Sequence, residues 1–252
     1  MNEVLIEEHG TIRVLALNRP EKRNALNDAL VAGLKTELRN ANEDERLTAV
    51  VILGKGKDFC SGADLSTLQK IAGTSYEENF ADASSLAELF AMPRKMKIPV
   101  IAAVHGRSLA GGCGLATACD IVLATKSARF GYPEVKIGFV PAIVTAFLRR
   151  NISEKRAFEL ITQGFEFSAE QAKTMGLVNA VFEEDTFENS VLRYCAVYEN
   201  VSKSAVTLSK QLLYEMDSLG FDDSLDLGTE INVKARMSED CQKGIAKFLH
   251  KS

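Results

Sequence analysis

Residues 107–120 read RSLAGGCGLATACD, and two signals in this stretch oppose each other. From Leu109 to Ala118 the alanines and leucines are those of a buried helix, yet Gly111, Gly112 and Gly114 crowd its first turn. Each glycine in a helix costs about 1 kcal/mol relative to alanine. A ligand would account for them. The first turn carries N–H groups with no intrahelical acceptor, the helix dipole adds positive potential there, and glycine leaves the backbone bare. Two phosphate-binding patterns fail on inspection, because the third glycine of G-x-G-x-x-G and the G-K-[ST] of a P-loop are both missing. What such a helix start can still hold is a transient oxyanion.

The flanking segments set the fold class. TAVVILGKG (48–56) and IPVIAAVHG (98–106) are nearly continuous apolar runs that suit strands covered on both faces, and DIVLAT (120–125) follows as another strand. VLIEE (4–8) and TIRVLALN (11–18) alternate like the two strands of a hairpin around His9 and Gly10. Leu26, Leu30, Leu34, Leu38 and Ala41 recur mostly at four-residue steps, one apolar helical stripe that Asn24 or Asn27 caps. A second helix is expected from about Glu77 to Met92. This alternation predicts an α/β core with right-handed crossovers. From Ser153 onward segments such as EKRAFELIT, SKSAVTLSKQLLYEMDS and SEDCQKGIAKFLH are helical, with LVNAVF (177–182) strand-like between them. No proline- or serine-rich linker marks the change, so the helical region extends one domain.

Composition excludes several function classes. The 252 residues are 46% hydrophobic, ample for a sizeable core. With 30 basic and 34 acidic side chains the net charge is −4, which argues against a general binder of nucleic acid or membrane surfaces. The longest apolar run, Ile98 to Val104, is too short to span a bilayer. The start MNEVLIEEHG lacks the regions of a signal peptide, so a cytoplasmic protein is expected. Cys60, Cys113, Cys119, Cys195 and Cys241 form no C-x-x-C pair, and His9, His105 and His250 offer no metal-ligand spacing; reduced thiols and no metal are expected. Cys60 reads as a packing residue, His105 as a structural histidine and Asp120 as a capping or buried, hydrogen-bonded acid.

A second loop resembles the first in its chemistry. In KDFCSGADLSTL (57–68), Ser61-Gly62-Ala63-Asp64 follows a strand and leads into a short helix. One N–H from here and one from Gly111 or Gly112 would clamp a single carbonyl oxygen, a donor of this kind contributing about 3–4 kcal/mol in a transition state. Tight turns and close helix packing account for the same glycines, and on spacing alone both readings stand.

SGADL (61–65), VHGRSLAGGCGLATACD (104–120) and FGYPEVKIGFVPA (130–142), in this order and spacing, resemble signature segments of the crotonase, or enoyl-CoA hydratase/isomerase, superfamily. NRPEKRNAL (18–26) and SEDCQKGIAKFLH match as well, so the resemblance covers essentially the whole chain. It implies an α/β, crotonase-like spiral of ββα repeats over residues 1–190, with a helical C-terminal trimerisation region over 191–252 that packs on the core and on neighbouring subunits. It also implies a homotrimer or homohexamer acting on an acyl-CoA thioester, with no nucleic acid or membrane partner. Coenzyme A is then part of the substrate, and no separate cofactor is needed.

Carried over residue by residue, the resemblance puts the oxyanion hole on the N–H groups of Ala63 and Gly111 and an acid/base carboxylate on Glu134. Gly112 lets the thioester approach. Gly114 stands where the family has another glutamate, and glycine there leaves space for a bulkier or branched acyl chain, or for a water. If Glu134 lies against IGFVPAIV, desolvation raises its pKa. Lys22 and Arg23 would meet the CoA phosphates, while Ala25, Asp64, Leu65 and Ser66 line the CoA and acyl channel, mainly through backbone atoms. Tyr132 and Pro141 would line the acyl pocket, and Lys247 and Phe248 would reach CoA from a neighbouring subunit. GFVPAIVTAFLRR replaces the usual run ending in T-Q-R-L, and together with AGGCGLAT it is similar to the methylglutaconyl-CoA hydratase type of bacterial crotonase. The implied activity is hydration of a 2-enoyl-CoA; the alternatives are 3,2-enoyl-CoA isomerisation, decarboxylation, and a non-catalytic scaffold or RNA-binding homologue. The net charge of −4 and the presence of Glu134 weigh against the last.

Overall fold

The computed structural model describes residues 2–64, 66–67, 69 and 73–249. Strands β1 (Val4–His9) and β2 (Ile12–Leu17) form the expected antiparallel hairpin, Val4 opposite Leu17 and His9 opposite Ile12. Gly10, at φ +64, supplies the positive dihedral the tight turn needs. β3 (Ala49–Gly54), β4 (Val100–Val104), β6 (Ile121–Thr125) and β9 (Ala180–Phe182) then add in parallel, giving a six-stranded sheet in the order β1-β2-β3-β4-β6-β9.

The apolar runs are buried on both faces because alternate residues serve two cores. Leu15, Leu17, Val50, Ile52, Ala102 and Val104 pack on one side, where helix α1 (Asp28–Glu43) contributes Leu30, Leu34 and Leu38. Ile12, Val14, Ala49, Val51, Ile101, Ala103 and Leu123 pack on the other, against Phe187, Val191 and Cys195 of a later helix. Of the two asparagines offered as caps of α1, Asn27 does so, its Oδ1 accepting the Leu30 N–H at 2.8 Å. Asn24 is buried at φ +54 and donates its amide to the carbonyls of Lys55 and Asp58 at 2.9 and 2.8 Å.

Helix α2 (Tyr76–Lys95) starts on a Ser75–Glu78 capping box and runs slightly beyond the expected bounds. After β4 the chain makes β5 (Arg107–Leu109) and then α3 (Gly111–Ala118); after β6 it makes β7 (Arg129–Gly131), a 3-10 turn over Pro133–Ile137, and α4 (Ala142–Asn151). These are successive ββα units of a spiral. β8 (Glu166–Ser168), between α5 (Glu154–Gln163) and α6 (Ala169–Met175), completes a small second sheet ordered β5-β7-β8. Its three-residue strands are too short to show any alternation, and only the structure reveals them.

The helix facing the second core is α7 (Phe187–Cys195), followed by α8 (Lys203–Glu215), α9 (Phe221–Met237) and α10 (Glu239–Leu249), which pack on one another. A buried polar knot ties α8 to the sheet. Lys210 donates to the Ile98 carbonyl at 2.7 Å and to Asp120 Oδ2 at 2.6 Å, while Asp120 also accepts from the Val100 N–H and the Tyr214 hydroxyl. Burial pulls the Lys210 ammonium below its ordinary pKa, and the Asp120 charge opposes that shift. Asp120 is thus the hydrogen-bonded acid expected of it. Large apolar side chains stay exposed on α9 and α10, among them Phe221, Leu225, Met237 and Phe248.

All five cysteines are free thiols. Cys60, Cys113, Cys119 and Cys195 are buried, and desolvation pushes the thiols of Cys60, Cys113 and Cys195 up to about 12. Cys241 is partly exposed. Among the described residues no helix is long and apolar enough to cross a membrane.

Candidate active site

The two glycine-bearing loops meet. At Gly62, φ +100, a side chain would lie 2.7 Å from the Cβ of Ala110 and 3.0 Å from the Leu109 carbonyl, so the 61–64 loop presses against the start of α3. The loop is held by one parallel bridge between Leu26 and Ala63, in which Leu26 N–H donates to the Gly62 carbonyl at 2.7 Å and Asp64 N–H to the Leu26 carbonyl at 3.0 Å. In such a bridge the flanking peptides make the bonds, so the N–H of Ala63 itself turns to the other side. It has no acceptor among the described residues.

The facing loop ends at Ala110, whose backbone sits at φ +49, ψ −126, a region that favours glycine and costs an alanine about 1–3 kcal/mol. The donation of its N–H to the Gly131 carbonyl at 2.9 Å helps to hold it there. Gly111 follows as the first helical residue, and its N–H also lacks an acceptor among the described residues. Ala63 and Gly111 therefore bring two unpaired donors to neighbouring loops.

The β5–β7 ladder brings in the carboxylate. Leu109 pairs with Gly131, three residues before Glu134, so the 3-10 turn carrying Glu134 begins beside the start of α3. Glu134 Oε2 is buried without a hydrogen-bond partner. Desolvation raises its pKa above the ordinary carboxylate value of 4.5, as the sequence leads one to expect. The charge of Glu134 also acts on the thiol of Cys113, which places the carboxylate near the first turns of α3. Ile137, Phe139 and Val140 of the apolar segment that follows are exposed.

Three expectations about the pocket are corrected. Gly114 does not leave space: a Cβ there would lie 2.2 Å from Val144 Cγ2 and 2.9 Å from Phe90 Cε2, so side chains of α4 and α2 fill the place of the missing glutamate. Gly112 faces protein rather than ligand, since a Cβ would meet the Cys60 carbonyl oxygen at 2.2 Å, and its absence lets α3 pack against that backbone. Tyr132 does not line a pocket; its side chain is fully buried, its hydroxyl is 2.7 Å from Thr117 Oγ1, and its ring packs on Phe167.

The remaining residues are distributed unevenly. Lys22, Arg23 and Ala25 belong to the turn that leads to Leu26, and Ser61 N–H donates to the Arg23 carbonyl, so this turn borders the Ala63 loop. Lys22 and Arg23 are exposed there. Asp64 engages protein partners with both carboxylate oxygens: it accepts the N–H and hydroxyl of Ser66, the stronger cause of its pKa of about 2, and pairs with Arg19 at 2.8 Å. Leu65 lies outside the described residues. Pro141 is buried as the residue before α4, and its carbonyl accepts from Thr145. Lys247 and Phe248 are on α10, which packs on α8 and α9. His105 bonds the Gly56 carbonyl at 3.0 Å, the structural role expected of it. Arg19 went unnoticed in the sequence, where NRP (18–20) stands out only by resemblance.

Comparison with known proteins gives one answer. The family model described as enoyl-CoA hydratase/isomerase matches residues 7–252. A putative enoyl-CoA hydratase of Thermus thermophilus is 38% identical, over 97% of this chain and 96% of that protein. The 2,3-dehydroadipyl-CoA hydratase of Escherichia coli is 33% identical over 100% of this chain and 97% of its own length. Among solved structures, an enoyl-CoA hydratase of Mycobacterium smegmatis superposes with a TM-score of 0.94 at 30% identity, covering 99% of this chain and 96% of that one.

Proposed function

Because the chain belongs to the enoyl-CoA hydratase/isomerase family, we propose that it hydrates a 2-enoyl-CoA reversibly, with Glu134 as its single acid/base carboxylate. The observation that carries this reading is the conjunction at the end of the β5–β7 ladder: a buried carboxylate oxygen without a partner beside two unpaired backbone donors. The N–H groups of Ala63 and Gly111 receive the thioester oxygen as it gains charge. Glu134 takes a proton from water as the water oxygen bonds C3, and gives that proton to C2 as the enolate collapses. Its raised pKa suits an exchange in both directions.

A second reading is favoured by the filling of position 114. With Val144 and Phe90 against Gly114, no carboxylate and no water can stand there, and a single base can move a proton from C2 of a 3-enoyl-CoA to C4. The same enolate serves this reaction. For the acyl group we favour a branched or dicarboxylic chain, supported by the sequence around GFVPAIV and by the relative named for 2,3-dehydroadipyl-CoA. The active unit is proposed to be a homotrimer or homohexamer, in which the helical region over 191–252 packs on the core of residues 1–190 and on neighbouring subunits.

Purified protein should be assayed against 2-enoyl, 3-enoyl, 2,3-dehydroadipyl and 3-methylglutaconyl thioesters. Hydration of a 2-enoyl thioester supports the first reading. Conversion of 3-enoyl thioester with no hydration of any 2-enoyl one replaces it with the second.

A further inference from the structure

We propose that Arg19 is a positioning residue for the oxyanion hole, bracing the loop that carries the Ala63 N–H so that it is aimed where charge develops. The inference rests on the reading of Ala63 and Gly111 as the enolate's donors.

The loop bearing Ala63 has little regular structure to hold it. Its bridge to Leu26 consists of two hydrogen bonds, both on the side away from the free N–H. Two bonds along one edge fix where a peptide sits but oppose its rocking about that edge only weakly. Arg19 supplies a tie from another direction. Entering from the turn after β2, its guanidinium donates through Nη1 to the Ala25 carbonyl on one side of the bridge, while Nη2 lies 2.8 Å from Asp64 Oδ2 on the other. One planar group therefore clasps both segments of the bridge.

Both ends of the clasp are fixed in turn. The Arg19 N–H donates to Asn24 Oδ1 at 2.9 Å, and its carbonyl accepts from the N–H groups of Lys22 and Asn24, so the root of the side chain is held in the turn. Its Nε lies 3.4 Å from Glu3 Oε1. The second oxygen of Asp64 accepts the Ser66 N–H and hydroxyl at 2.9 and 2.8 Å, which fixes the carboxylate. The side chains of Arg19 and Asp64 are only 12% and 11% exposed, so water competes little for the pair. Arginine suits this position because its donors form a rigid fork that remains charged at any working pH, whereas lysine presents one point charge. An oxyanion donor is effective only when held in place before the reaction, so a loosened Ala63 loop costs rate rather than ground-state binding.

The test uses the full chain and acetoacetyl-CoA, a β-ketoacyl thioester whose α-carbon loses a proton to give an enolate read by its near-ultraviolet absorbance. The wild type is expected to lower the pH at which the bound ester enolises relative to the free ester. In Arg19→Met and Asp64→Asn the midpoint should move back toward that of free ester by about one unit, a tenfold loss of preference for the enolate. Affinity for butyryl-CoA, which forms no stable enolate, should change less than about threefold, and kcat should fall about tenfold or more with KM nearly constant. Arg19→Lys should fall between, and Asp64→Asn keeps the shape of the loop should Arg19→Met fail to fold. A midpoint equal to wild type in folded variants overturns the brace while leaving the donors standing. A wild type that does not lower the midpoint at all overturns the donors and the brace together.

Discussion

Glu134 carries the proposed chemistry, and its cost to the fold is predictable. A carboxyl whose folded pKa is raised stabilises the protein fully below its unfolded value of 4.5 and loses that contribution as pH rises through the folded value. At neutral pH the ionised, partnerless oxygen is a burden, so Glu134→Gln should raise the melting temperature at pH 7, and this gain should vanish on acidification toward the unfolded value. The same substitution should lower kcat by about 10²- to 10⁴-fold while leaving CoA-ester affinity nearly unchanged. Unaltered turnover in the glutamine variant would defeat the assignment. Because the base must be ionised to accept a proton from water, kcat/KM for hydration should fall with acidification along a limb lying above the ordinary carboxylate range, and Glu134→Gln should remove that limb.

At the scale of elements, α3 shows what spacing can and cannot reveal. Three glycines in one turn signalled a close approach, but only the packing shows what each one meets. Of that turn, Gly112 and Gly114 face protein atoms, as Gly62 does in the facing loop, and the proposed hole rests on the amide groups of Gly111 and Ala63. The long strands and α1 were legible because their apolar residues repeat over several periods; the small β5-β7-β8 sheet, which brings the turn of Glu134 beside the start of α3, was not. Arg19 escaped notice because its partners lie in two loops brought together only by folding. Gly114→Ala should destabilise the protein by about 1–3 kcal/mol through collision with Val144. Adding Val144→Ala should recover part of that loss in chemical denaturation, a coupling that independent sites would not show. Lys210→Met should cost about 3–5 kcal/mol, because it strands the Asp120 charge under α8.

Across the whole molecule, the unbalanced feature is the apolar surface left on the C-terminal helices. Phe221 and Met237 are each 78% exposed and Phe248 75%, in contrast to the buried residues of the two cores. Sedimentation of the 27.5 kDa chain is expected to give three or six times that mass, and a wild type that stays monomeric at micromolar concentration would refute the assembly. The cysteines provide a built-in marker for the same question. Thiolates, not thiols, attack maleimides, and burial pushes up the pKa of Cys60, Cys113, Cys119 and Cys195 and keeps them as thiols at neutral pH. Cys241, on the last helix, remains the accessible nucleophile. The native protein should therefore take up one fluorophore per chain without mutagenesis, at a known place in the C-terminal region, and energy transfer appearing after donor- and acceptor-labelled batches are mixed becomes a clock for subunit exchange.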